Sequence, residues 1–361
     1  MRGQDTTRAD SSAKPAATAA APAPKGNAAP IYPLNPTTAF PVRAFAPMPT
    51  LSGYISVRGT RRDDITVFQL NRGRLTAVAA PKPFLAIRIQ GDLSSAQTAK
   101  LRSDSAVSGF SLTDAYVELV APPAIDTRGS VFEQLHPSLI AGQFKTPFSL
   151  EYLTSFALLK TASRSQVVDK LSQKRDIGVQ AQVGWGPYAT LTLAIVNGEG
   201  PNVTANANGT VMYLSRLTLT PLSWLELSGK IERDQTDHAW GFDARAIWRG
   251  LTVEGEGIYR KRPTTATVFT DAGGGYALIS YKLTKWLEPV YKYDRYYDTR
   301  YTYRNPATTT TAAVSDTWNV FGLNILTTPE WLRLQLDYNR RNEKPTPGRS
   351  NEYIAQLIAI F

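Results

Sequence analysis

The sequence predicts an all-β protein: a transmembrane antiparallel β-barrel of about 16 strands, with its third long loop folded inward. Three observations carry this prediction. From Leu51 onward apolar and polar residues alternate with a period of two, long and short connections alternate, and the chain ends on a strand whose last residue is Phe361. No run approaches the roughly 18 apolar residues of a membrane helix. A membrane barrel is not excluded by that test, because its strands alternate between lipid-facing and lumen-facing residues.

Residues 1–49 differ in composition from the rest of the chain. The stretch AKPAATAAAPAPKGNAAPIYPLNP is rich in Ala and Pro and has almost no large apolar side chains. Such a segment buries too little surface to offset the entropy of ordering it, so we expect a flexible tail at 1–49 and a barrel at 50–361. The start, MRGQDTTRADSS, lacks the apolar core of a signal peptide. An exported protein would therefore have its true start upstream, or the numbering begins at a mature or engineered end.

The strands are predicted from alternating segments such as WLELSGKIERD and WLRLQLDYNR, in which leucines fall on one face and charged residues on the other. The predicted strands are 51–60, 64–79, 82–92, 110–121, 136–145, 174–185, 187–198, 209–221, 223–234, 237–249, 251–261, 274–284, 285–297, 315–328, 329–341 and 350–361.

The connections and the tryptophans indicate which way the strands run. Most connections at one end are predicted to be long, and most at the other end are tight turns, which is typical of an outer-membrane barrel. Five tryptophans lie beside the short turns, so an up-and-down barrel brings them to one rim as an aromatic girdle. The long connections are predicted near 93–109, 146–173, 198–208, 262–273, 298–314 and 342–349; the tryptophans are Trp185, Trp224, Trp248, Trp286 and Trp331.

The last strand ends without any segment after it that could cover its apolar face. Tyr353, Leu357 and Phe361 fall on one face of this strand, and Glu352 and Gln356 on the other. In a closed barrel the last strand pairs with the first, and its apolar face meets lipid. The ending also resembles the terminal assembly signal of bacterial outer-membrane proteins, which implies Phe361 as the signal and the outer-membrane assembly machinery as a partner.

The central segment resembles a known family. LIAGQFKTPFSLEYLTSFALLKTASRS, followed by KRDIGVQAQVGWGPYATLTLAIVNGEG, is similar to the phosphate-selective porin O and P family, and FQLNRGRLTAVAAPKPFLAIRIQGD is similar to its arginine-rich second strand and return strand. The resemblance covers roughly 64–361 and is strongest over 139–200. It implies a homotrimeric porin of the bacterial outer membrane that conducts small anions. It also implies a third loop, here 146–173, that folds into the channel, and basic side chains along the anion path.

The net charge of +10 suggests anionic partners, but the basic residues are scattered among acidic ones, which argues against nucleic acid. Strand alternation points many of them inward, where successive guanidinium groups could hold a moving anion. Inward acidic residues leave an alternative, because cross-strand ion pairs in a wet lumen need no substrate. The predicted anion path consists of Arg72, Arg74, Arg88, Lys145, Lys160, Arg164, Arg216, Lys230, Arg245 and Arg333.

Loop 146–173 is too apolar for an exposed external loop, with Phe148, Tyr152 and Phe156 among its residues. We expect it inside the barrel, where it constricts the pore and brings Lys145, Lys160 and Arg164 to the narrowest point. The alternative is that the same apolar residues pack against a neighbouring subunit.

Three classes of function remain after catalysis is considered. The chain has no cysteine and two histidines, His136 and His238, and neither has a converging acid–base partner in the pattern, so we expect no enzyme, no cofactor and no metal site. The remaining classes are an outer-membrane channel for small solutes with an anion bias, a docking barrel whose tail binds an envelope partner, and a soluble all-β binding protein. Detergent dependence separates the third class from the others, and conductance separates the first from the second.

Overall fold

The computed structural model describes residues 46–82, 84–93, 110–120, 135, 137–206, 208–263, 269–305, 308–327, 329–344 and 348–361. The predicted tail at 1–49 lies outside the described residues up to position 45, and β1 begins at Ala46. The chain divides into a unit Met1–Leu34, which lies outside the described residues, and a unit Asn35–Phe361, which contains the barrel.

In the described part of the chain, 16 antiparallel strands form one closed barrel, which confirms the predicted fold class. Each strand pairs with its neighbours in sequence, and the last strand pairs with the first. The strands are β1 (Ala46–Arg62), β2 (Ile65–Lys82), β3 (Leu85–Leu93), β4 (Ser111–Val120), β5 (Ser138–Lys145), β6 (Arg175–Trp185), β7 (Ala189–Val196), β8 (Met212–Leu222), β9 (Leu225–Asp234), β10 (Asp237–Trp248), β11 (Leu251–Pro263), β12 (Phe269–Tyr281), β13 (Leu287–Asn305), β14 (Thr308–Leu326), β15 (Leu332–Lys344) and β16 (Gly348–Ile360).

The two faces of the wall have opposite character. On β16, Tyr353 and Leu357 are exposed on the outside, while Gln356 and Glu352 are buried on the inside. Apolar residues outside and charged residues inside invert the arrangement of a soluble barrel, and the barrel therefore suits a lipid surround. The five predicted tryptophans are all exposed and lie at the short-turn ends of their strands, which gives the girdle expected at one rim. None of the helices in the described residues is both long and apolar enough to cross a membrane.

Three of the predicted long connections are wrong. The structure continues the strands into the regions predicted as loops at 262–273, 298–314 and 342–349, so that β13 and β14 each reach 19 residues. These segments are rich in Thr and Tyr, which favour strands, and a hairpin can keep pairing beyond the bilayer. The predicted loop at 93–109 lies almost entirely outside the described residues.

Backbone hydrogen bonds at the very end of the chain complete the pairing of β16 with β1 that closes the barrel. The Phe361 N–H donates to the Gly53 carbonyl at 3.0 Å, and the Gly53 N–H donates to the Phe361 carbonyl at 2.8 Å. The Phe361 ring lies across Gly53, where a Cβ would come within 2.7 Å of the ring. A glycine at position 53 therefore leaves room for the terminal aromatic residue.

Deletion of Phe361 is expected to lower the fraction of the protein that reaches the membrane. The deletion removes the last two hydrogen bonds of the seam between β16 and β1, and it removes the aromatic residue that resembles the assembly signal. The measurement is the heat-modifiable, membrane-inserted fraction in cells at native expression, with Phe361→Tyr as the control that keeps an aromatic end. Equal insertion of the deletion variant and the wild type would contradict the role given to Phe361.

The connection between β5 and β6 folds into the barrel, as predicted for the third long loop. It contains the helix α1 (Leu150–Leu153), a 3₁₀ turn (Phe156–Leu158) and the helix α2 (Gln166–Leu171). Phe148, Leu150, Val167, Val168 and Leu171 are almost completely buried inside the barrel. We call residues 146–173 the inner loop.

Candidate functional site

Carboxylates on the barrel wall hold the inner loop through its backbone N–H groups. Asp294 on β13 accepts from the Gln166 N–H at 2.8 Å and from the Ser165 hydroxyl at 3.0 Å, at the start of α2. Glu256 on β11 accepts from the Ser149 hydroxyl at 3.0 Å, next to α1. These contacts satisfy donors at helix starts that have no partner within the helix.

Basic wall residues bind the carbonyl groups of the same loop. Lys292 donates to the Ser163 carbonyl at 2.8 Å, and Arg333 donates to the Leu159 carbonyl at 2.8 Å. Lys145, at the end of β5, donates to the carbonyls of Tyr152 and Leu153, each at 2.9 Å. A loop anchored by both its donors and its acceptors has a fixed position in the lumen.

Apolar packing attaches the inner loop to two parts of the wall. One buried cluster joins Phe148, Val167 and Leu171 to strands between β5 and β14. A second joins Phe156, Ala157 and Leu159 to Tyr54 on β1 and Ile358 on β16. The structure thus buries these side chains against the inner wall of their own barrel, as predicted, and leaves them unavailable to a neighbouring subunit.

Six basic residues come together where β2–β4 and the root of the inner loop meet. Asp92 accepts from Arg72 and Arg74 at 2.8 and 2.6 Å. Asp114 accepts from Arg175 and Arg88 at 2.7 and 3.2 Å. We define the cationic face as Arg72, Arg74, Arg88, Lys145, Arg164 and Arg175.

The cationic face carries an excess of positive charge. Among its described neighbours, Asp92 and Asp114 accept directly from it, and Glu118, Glu151 and Asp169 lie farther away, so five carboxylates stand against six cations. The side chains of Arg72 and Arg88 are 33% and 26% exposed, so their N–H groups reach water in the lumen. An excess of cations on a low-dielectric wall attracts anions more strongly than the same charges in open water.

Aromatic rings hold the guanidinium groups of this face. The Arg164 guanidinium carbon lies 4.8 Å from the Tyr152 ring centre and 5.7 Å from that of Phe156. Arg72 lies 5.1 Å from the Phe156 ring, and Arg175 lies 5.5 Å from that of Tyr152. Stacking on a ring face occupies the plane of a guanidinium and leaves its N–H edge available to an anion.

Arg164 is the loop residue that contributes charge to the face. It donates to the carbonyls of Glu151 and Thr154 at 3.4 Å. No carboxylate within the described ranges lies at salt-bridge distance from it. Burial lowers the pKa of Arg164, and nearby Tyr152 and Glu151 act in the opposite direction.

The structure places five of the predicted path residues away from this face, in ion pairs. Arg216 donates to both carboxylate oxygens of Asp243, at 2.7 and 2.8 Å, and Lys230 also contacts Asp243, at 3.1 Å. These pairs anchor the wall to itself or to the inner loop, and none of the five joins the six cations. The remaining partners are Glu254 for Arg245, Glu288 for Lys160, and Glu330 together with the Leu159 carbonyl for Arg333.

Arg175 belongs to the cationic face but was not among the predicted path residues. It opens β6 and lies opposite Lys145 in the β5–β6 register, at the root of the inner loop. The signal was present in the sequence, because Arg175 begins the Arg-Asp-x-Gly motif that follows the loop.

The described residues contain no group of three or more His, Cys, Asp and Glu side chains suited to a metal ion. His238 is exposed, and its Nδ1 lies 3.0 Å from the Thr236 carbonyl. His136 lies outside the described residues.

Residues 85–225 match the family model described as phosphate-selective porin O and P, which confirms the resemblance seen in the sequence. No curated protein matches the chain. The barrel is similar to several solved structures at a level that establishes a shared fold. Outer-membrane expressed OmpT of Vibrio cholerae has a TM-score of 0.59 and 9% identity, over 88% of this chain and 99% of that chain.

In-vitro folded OmpT of Vibrio cholerae, described as a trimer form, has a TM-score of 0.56 and 8% identity, over 87% of this chain and 99% of that chain. A mutant of the Rh. blastica porin has a TM-score of 0.51 and 11% identity, over 87% of this chain and all of that chain. The family match and the barrel fold place the protein in the bacterial outer membrane.

Proposed function

We propose that this chain, whose residues 85–225 match the phosphate-selective porin O and P family, forms a water-filled channel for passive diffusion of small solutes with a preference for anions. The observation that carries the proposal is the cationic face beside the inner loop, where six cations stand against two carboxylates at salt-bridge distance and three that lie farther away. Phosphate and similar small oxyanions suit it chemically, because a guanidinium edge matches their oxygens. The family and the porin structures favour a channel over an enzyme.

The position of the inner loop supports selectivity in addition to permeation. The loop is fixed to β11, β13 and β15 through buried contacts, and it brings Arg164 toward the arginines of β2–β4. Ions that cross the lumen on this side pass along a wall with a net positive charge. Homotrimers are also expected, since one of the similar structures is described as a trimer form.

The test is a reversal-potential measurement on the purified protein in a planar bilayer, with potassium chloride at different concentrations on the two sides. We expect discrete channels and a reversal potential of the sign that chloride preference gives. Replacing chloride with phosphate shows whether phosphate is carried or slows the chloride current. A protein that inserts but conducts nothing would indicate a docking barrel, and preference for potassium would overturn the anion assignment.

A further inference from the structure

The outer surface of β13–β16 and β1 carries positive charge that the channel does not use. Five basic side chains are exposed there on outward-facing positions, and the described outward positions of these five strands hold no Asp or Glu. Four of them lie in the halves of their strands opposite the tryptophan rim, and the one on β13 lies near the middle of its strand. The five residues are Arg61, Arg295, Arg340, Lys344 and Arg349.

A row of aromatic rings runs across the same strands. The ring centres of Tyr291, Phe321, Tyr338 and Tyr353 are 5.1, 6.2 and 5.2 Å apart in that order. The Tyr338 hydroxyl donates to Asn351 Oδ1 at 3.0 Å, toward the basic residues. Three of the four rings are tyrosines, whose apolar bodies and polar tips suit a membrane interface.

An apolar groove lies beside this row. Its cavity of about 440 Å³ is lined by residues that include Gly59, Phe68, Tyr353 and Ala355, with Arg61 among them. The Phe68 ring lies across Gly59, where a Cβ would come within 2.9 Å of it. The small residues thus make room along the wall for an elongated apolar group, next to a guanidinium.

We propose that this face binds a phosphorylated glycolipid of the outer leaflet, with its phosphates at Arg61 and Arg340 and one acyl chain in the groove. Charge complementarity favours a lipid over a second copy of this chain. A subunit contact here would bury several like charges with no outward carboxylate on these strands to pair with them. The inference rests on the location in the outer membrane and is independent of ion selectivity.

The experiment uses the full-length protein in detergent and counts bound lipid by native mass spectrometry. The probes are bis-phosphorylated lipid A and the same lipid without phosphates. Arg61→Gln with Arg340→Gln should weaken binding of the phosphorylated lipid by roughly tenfold or more. The matched control is Arg249→Gln with Lys285→Gln, which removes two exposed cations at the tryptophan rim and should leave binding unchanged.

A second variant tests the groove without changing the charge. Ala355→Trp fills the cavity from the lipid side and should also weaken binding of lipid A. Equal binding of the lipid with and without phosphates, or an equal loss in the control pair, would overturn the proposal. Displacement of the lipid by inorganic phosphate would instead indicate a site for the free anion. Dissociation of trimers with lipid binding intact would identify the face as a subunit contact.

Discussion

Replacement of Arg72 and Arg164 by glutamate is expected to reverse the ion preference of the channel. Both guanidinium groups flank the Phe156 ring, at 5.1 and 5.7 Å, so the two substitutions change the charge of one small region. The cationic face would then carry more carboxylates than cations. The permeability ratio of chloride to potassium should fall by about tenfold or more, as measured by the reversal potential in a salt gradient.

A graded series at the same two positions separates charge from structure. Lysine keeps the charge and should keep the anion preference, glutamine should reduce it, and glutamate should invert it. Unchanged heat modifiability of each variant shows that the barrel and its assembly are intact. Anion preference that survives in a well-folded glutamate variant would mean that the selective part of the path lies elsewhere.

Lys160 would have been the natural partner of Arg164 for this test on sequence grounds alone. The structure shows that Lys160 donates to Glu288 on β13 at 2.7 Å, on the opposite side of the inner loop. Glutamate at position 160 would place two carboxylates together and disturb the anchoring of the loop. A change in selectivity at that position could not be separated from a change in loop position.

The strands could be predicted from the sequence because a period of two fixes both faces of each strand at once. On β15, Leu336 and Tyr338 face outward, and Arg333 and Gln335 face inward, as the alternation requires. The ends of β13 and β14 could not be predicted in this way. A polar Thr-rich run is read as a loop from composition, whereas in the structure it continues the pairing of the hairpin.

The site was less predictable, because alternation gives the face of a basic residue but not its partner. Lys160 and Glu288 are 128 positions apart, and Lys292 and Thr161 are 131 apart. Only the closed barrel brings such residues together. The six cations of the cationic face differ from the other inward basic residues in the side chains that surround them in the folded barrel. No local sequence pattern predicts those neighbours.

Lys292→Met is expected to release the inner loop and raise the single-channel conductance. The Lys292 ammonium is buried and donates to the Thr161 hydroxyl and the Ser163 carbonyl, each at 2.8 Å, and it lies 3.4 Å from Glu151 Oε1. Methionine removes both hydrogen bonds and leaves the buried Glu151 carboxylate without this cation. Breaking one half of such a pair costs roughly 3–5 kcal/mol.

The double variant Lys292→Met with Glu151→Gln is the matched control. It removes the same lysine but leaves no uncompensated carboxylate, so the loss of loop docking should be smaller. We expect the single-channel conductance to be lowest in the wild type, intermediate in the double variant and highest in Lys292→Met. Equal conductance of all three proteins would show that Lys292 does not hold the loop in place.

The pH dependence of conductance in the same variants tests whether the charge on Glu151 releases the inner loop. Burial raises the pKa of Glu151 from its ordinary value of 4.5 to about 7, while Lys292 and the Ser165 N–H act to lower it. A carboxyl whose pKa is higher in the docked loop than in the released loop favours docking when protonated. Docking therefore weakens as the pH rises from about 4.5 to about 7. Without Lys292 the pKa of Glu151 should rise further.

The conductance of Lys292→Met should therefore increase from about pH 6 to about pH 8. The double variant, which has no Glu151 carboxyl, should lack this increase. An equal increase in both would place the titrating group outside the inner loop, at a carboxylate of the wall such as Asp294 or Glu256.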